Sequence, residues 1–203
     1  MKPRTLIFLF IEMALLGALV ATISFGAAVG TIRTVREGPS FTFVDSMAEA
    51  TGSPWGEALA IFLNNFIVAG FMAIGIVWIG RSWVAEIPII LSASLNGFIL
   101  GLVLMAVAMV AGPALVIAGI LPHGMLEIPA IMLSWMMGLE GVNSIRGFSE
   151  LIGPSPGGVY AADLYRNTVV KRNVAYFLKY CLPLLAVAAI IETFITPVVM
   201  GLV

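Results

Sequence analysis

Polar and apolar residues along this chain sort into blocks instead of alternating at the period of a strand or a half-buried helix. Crossing a hydrocarbon layer takes roughly 20 apolar helical residues, and such blocks fall near Leu6–Ala28, Ala58–Ile79, Ile87–Met109, Leu121–Leu139 and Val174–Val198. Inside that layer every backbone N–H and C=O must be satisfied within the chain, which selects helices. The pattern predicts an all-α fold, a polytopic membrane helix bundle of about five transmembrane helices forming one domain over residues 1–203. Gly112–Pro113 interrupts the apolar region Ala85–Leu121 and leaves too few residues on either side for two crossings, so that region reads as one span plus a short apolar link. The Gly153–Pro154–Ser155–Pro156–Gly157–Gly158 run predicts a turn. The segment 159–173 after it mixes tyrosines with basic residues and reads as an interfacial helix leading into the last span.

Composition places these blocks in a bilayer. With 203 residues, 61% hydrophobic and only 10% charged, the chain is too apolar for a water-soluble domain of its size. The net charge of −1 comes without a basic stripe and excludes a nucleic-acid partner. Cys181 is the lone cysteine and reads as a small apolar filler. Lys2 and Arg4 before the first apolar run resemble the start of a signal peptide, but the run is long and lacks a small-residue cleavage site, so it reads as a retained span.

Basic residues then set the sidedness. Lys2, Arg4, Arg81, Arg146, Arg166, Lys171, Arg172 and Lys179 fall on one side of a five-span arrangement, against Arg33 and Arg36 on the other. The expectation is a multi-pass protein of the cell membrane with its N-terminus cytoplasmic and its C-terminus outside. The external loop 30–57 carries Phe41, Phe43, Met47 and Trp55, which suit a loop lying against the membrane or the bundle.

Few ionisable residues interrupt the spans, and ionisable groups in a bilayer normally face the bundle interior or a wet cavity. His123, the only histidine, stands four residues before Glu127, which puts both on one helix face. Pro122 before the histidine suggests a helix that starts there, with free N–H groups in its first turn. At about 1.5 Å per residue, Asn64 and Asn65, His123 and Glu127, and Glu192, Thr193 and Thr196 share the outer leaflet, with Asn96 near mid-depth. His123, Glu127, Glu192, Asn64, Asn65, Asn96 and Thr196 are therefore the candidate polar cluster, serving either as packing glue or as a ligand or ion site. Gly97 and Gly101 read as a close helix contact. Glu12 and Glu140 reach the inner headgroups or pair with Arg4 or Arg146.

Catalytic and metal motifs do not emerge. There is no H-E-x-x-H, no second histidine and no cysteine cluster, so a zinc site would need His123 with Glu127, Glu192 or asparagines, an uncommon set. No catalytic residue, metal or cofactor is expected, and the chain does not read as an enzyme.

Four pieces in order, Ile61–Phe62–Leu63–Asn64–Asn65, Asn96–Gly97–x–x–x–Gly101, Pro122–His123–Gly124–x–x–Glu127 and Ile191–Glu192–Thr193–Phe194–Ile195–Thr196–Pro197, resemble the stage II sporulation protein M (SpoIIM-like) integral membrane proteins. The resemblance covers most of the chain and implies a polytopic helical membrane protein. The family namesake is a membrane scaffold for peptidoglycan-degrading partners in spore formers, while similar proteins occur in organisms that form no spores. The resemblance implies no catalytic residues. Two function classes follow: a scaffold with a membrane or cell-envelope protein partner, and a transporter or channel that uses the Asn/His/Glu cluster. Besides the lipid bilayer itself, a second copy of the chain is a candidate partner, since Gly17, Gly70, Gly75, Gly97 and Gly101 give several small-residue faces.

Overall fold

The computed structural model describes residues 3–23, 52–79 and 85–202. Lys2, Arg33, Arg36, Arg81 and the loop residues Phe41, Phe43 and Met47 lie outside the described residues. The five expected helices are present: α1 (Pro3–Ile23), α2 (Pro54–Ile79), α3 (Glu86–Ala111), α4 (Pro113–Ile152) and α5 (Pro156–Met200). Each is long and apolar enough to cross a membrane.

Two starts are capped alike. The Ser53 and Ser155 hydroxyls accept from the N–H groups of Gly56 and Gly158 at 3.2 and 3.1 Å, and a proline follows each serine at the first helical position. Turns at Gly112 (φ +90°) and Gly153 (φ +70°) occupy backbone regions that disfavour a Cβ, and there α3 gives way to α4 and α4 to α5.

Two expected boundaries change. The residues after Pro113 are not an apolar link but the first turns of α4, because Gly112 alone makes the reversal and Pro113 is already pre-set for a helix. Pro122 and Pro129 consequently lie inside one 40-residue helix, so no helix N-terminus opens at His123. The segment 159–173 is likewise continuous with the last span as a single helix of 45 residues. At about 1.5 Å per residue, α4 and α5 each run roughly 60 Å or more, twice a hydrocarbon core.

Among the described residues three π-helical turns, Phe71–Gly75 in α2 and Phe177–Cys181 and Ile191–Ile195 in α5, widen the spiral. The two in α5 have a visible cause. Pro183 and Pro197 cannot donate to the carbonyls of Lys179 and Thr193 four residues back, and just before each proline an N–H reaches back five residues instead, Leu182 to Phe177 and Thr196 to Ile191. The turn in α2 lacks a proline and is held from outside. Asn173, 1% exposed, donates through Nδ2 to the carbonyls of Ala73 (2.8 Å) and Met137 (3.0 Å), tying α2, α4 and α5 together.

Helix α1 packs chiefly on α3. A Cβ on Gly17, Gly97 or Gly101 would overlap the backbone carbonyl of Phe98, Phe10 or Ala14 respectively, so these glycines let the two backbones meet. Trp135 of α4 fills the space beside that pair, its ring 5.7 Å from Phe10 and packed with Leu6, Ile89 and Leu139. A second core gathers Phe177, Leu185 and the fully buried Cys181 of α5 against Ala69, Ala73 and Ala130. Toward the α4–α5 turn, Arg146 binds Glu86 at 2.6 Å rather than Glu140, since the start of α3 lies opposite Arg146 while Glu140 is exposed on another face of α4. Glu12 is exposed on α1.

Candidate polar site in the helix bundle

His123 and Glu127 stand one turn apart on α4, and Glu192 reaches them from the second π turn of α5. One ligand atom from each of the three lies within 4.8 Å of the others. Because α4 begins at Pro113, His123 and Glu127 sit about 15 and 20 Å along the helix, deeper than their expected place at the opening of a span.

The other members hold these groups in position. Asn65 of α2 donates through Nδ2 to Glu127 Oε1 at 2.8 Å. Glu127 Oε2 faces His123 Nε2 at 4.0 Å, beyond hydrogen-bond length. On the other side of the ring, His123 Nδ1 lies 3.3 Å from the hydroxyl of Thr196. That hydroxyl donates to the carbonyl of Ile191 at 3.3 Å, the same carbonyl that closes the π turn. With its proton used there, Thr196 can only accept, so the tautomer that completes this contact is the one protonated at Nδ1, in which Nε2 keeps its lone pair toward the carboxylate.

Asn64 is exposed and, among the described residues, meets the cluster through Asn65, at 3.4 Å. Asn96 hydrogen-bonds Ser92 on its own helix, at 2.8 Å to the carbonyl, yet it faces the same space as the cluster. That space is a cavity of about 190 Å³ between α1, α3 and α4, with His123, Glu127, Asn96, Phe10, Leu100 and Trp135 in its lining. The two α4 residues thus divide the bundle, with hydrogen-bonding partners from α2 and α5 on one side and an open cavity on the other.

Trp135 and Asn173 were not among the residues expected from the sequence. Trp135 is 2% exposed and its indole N–H has no hydrogen-bond partner among the described residues. The signal for it was available, since His123, Glu127, Ile131 and Trp135 follow one another at four-residue spacing and share a helix face. Asn173 gave no such signal because it lies in a polar, basic stretch where a buried amide does not stand out.

Chemically, the site collects two carboxylates and an imidazole lone pair in a low-dielectric bundle. Carboxylates this close repel and have lost hydration, so a positive charge, whether proton or metal cation, is the natural complement.

The model of the family described as Stage II sporulation protein M matches residues 5–197. An uncharacterized protein of Methanocaldococcus jannaschii is similar at 29% identity over 142 residues, covering 68% of this chain and 70% of that protein. No solved structure matches.

Proposed function

The chain belongs to the Stage II sporulation protein M family, and we propose that it carries a cation across the membrane, with His123, Glu127 and Glu192 as the point where the ion pauses. One observation carries the reading: half-buried donors from two helices converge beside an open cavity, whereas packing alone needs only matched hydrogen bonds. In this reading the protein is a carrier and not a catalyst. Its N-terminus is cytoplasmic and its C-terminus external, so the cluster is nearer the outside.

The test is flux in proteoliposomes loaded with pH- and metal-sensitive dyes. Wild-type protein is expected to dissipate an imposed proton or divalent-cation gradient. Glu127→Gln, which keeps shape and hydrogen bonding, should lower the rate at least tenfold without changing thermal stability greatly. Wild-type flux equal to that of empty liposomes overturns the reading.

A scaffold role is favoured by a different feature. At the α4–α5 turn Leu151 is 83% and Tyr160 68% exposed, a pair suited to a membrane or cell-envelope protein partner or to a second copy of the chain. Purification in mild detergent with mass measurement separates these two occupants.

A further inference from the structure

We infer that the ion taken at His123, Glu127 and Glu192 is a first-row divalent transition metal of the zinc or manganese class; this rests on the cation reading for what the ion does after binding, though not for whether it binds. By residue type alone, one histidine without a cysteine cluster is an uncommon zinc set. The geometry changes that judgement in three ways.

First, the donors are an imidazole nitrogen and two carboxylate oxygens, all mutually within 4.8 Å, a separation that one ion with bonds near 2.0–2.2 Å can nearly bridge. A mixed N/O set favours Zn²⁺, Mn²⁺ or Fe²⁺ over Mg²⁺ and Ca²⁺, which take oxygen alone, and over Cu⁺, which takes sulfur. Second, the outer partners are those of a ligating histidine and carboxylate. Nδ1 is committed to the Thr196 hydroxyl and Oε1 to Asn65, which leaves Nε2 and Oε2 facing each other across a 4.0 Å gap with no hydrogen bond between them. Third, a divalent ion balances two carboxylates to zero net charge, the cheapest state for a site inside a membrane. Three protein donors leave coordination positions open toward the cavity lined by Asn96 and Trp135, which suits an ion that is released rather than locked.

The experiment uses the full chain in a Cys181→Ala background, purified in mild detergent, stripped with a chelator and titrated with Co²⁺, Zn²⁺, Mn²⁺, Mg²⁺ and Ca²⁺. The expected result is one Co²⁺ per chain with a visible absorption band, displaced by Zn²⁺ and not by Mg²⁺ or Ca²⁺. Glu127→Gln and Glu192→Gln should each weaken binding at least 100-fold, and Thr196→Val about 10–100-fold. Absence of the band together with a melting temperature indifferent to all five ions overturns the assignment. Binding that survives all three substitutions overturns it as well, by placing the ion elsewhere. Binding without flux in liposomes leaves this site standing and removes the carrier role; proton flux without metal binding does the reverse.

Discussion

At the scale of single residues, adjacent asparagines have unequal duties. Asn65 supplies the amide that satisfies Glu127 Oε1, whereas Asn64 is exposed. Asn65→Ala is expected to destabilise the protein by about 1–3 kcal/mol, because it strands a partly buried carboxylate oxygen, and Asn64→Ala by no more than about 0.5 kcal/mol. Melting of both variants in the same detergent checks the contrast, and equal effects would remove Asn65 from the site. The sequence marked the pair but not the member, since neighbours on a helix point roughly 100° apart and only the seating of α2 against α4 decides which one faces inward. Similarly, His123 and Glu127 were legible from their spacing, while the role of Thr196 depends on a carbonyl that no spacing rule reveals.

Helices and their irregularities form the next scale. The glycine contact between α1 and α3 was readable from Gly97 and Gly101, because a small-residue pair four apart has few other uses in an apolar helix. Gly101→Leu is expected to cost about 1–3 kcal/mol or more, since its first side-chain carbon meets the Ala14 backbone, which has no flexible end to move. An unchanged melting temperature would show that the two backbones do not touch there. The π turns were not legible, although the prolines behind two of them were. Pro197→Ala restores an N–H that can bond to Thr193; the Ile191–Ile195 turn is then expected to relax to α-helix and swing Glu192 by about 100°. Co²⁺ affinity should fall at least tenfold with the fold retained, and an unchanged affinity would mean that the turn does not aim Glu192. Asn173→Leu strips the buried carbonyls of Ala73 and Met137 of their shared donor and should destabilise by about 1–3 kcal/mol, measured by thermal melting.

The whole molecule reads most clearly in its number of spans, because the length of an apolar block is a strong signal and survives errors at its ends. Helix boundaries read poorly: Pro113 and Pro122 both offer a proline start, and Gly112 alone takes the left-handed turn that chooses between them. Orientation is testable by cysteine labelling in a Cys181→Ala background. A cysteine at Ser155 is expected to be shielded in intact cells and reactive after permeabilisation, and one at Ser40 reactive from outside; the opposite pattern reverses the protein in the membrane. The glycine seam between α1 and α3 also bears on synthesis. Gly17 leaves the ribosome about 80 residues before Gly101, roughly 4–16 s at 5–20 residues per second, and α2 is made in between. During that interval the surface of α1 meant for the α3 backbone is covered by lipid or by the insertion machinery, so α1 is a client waiting for a partner not yet translated.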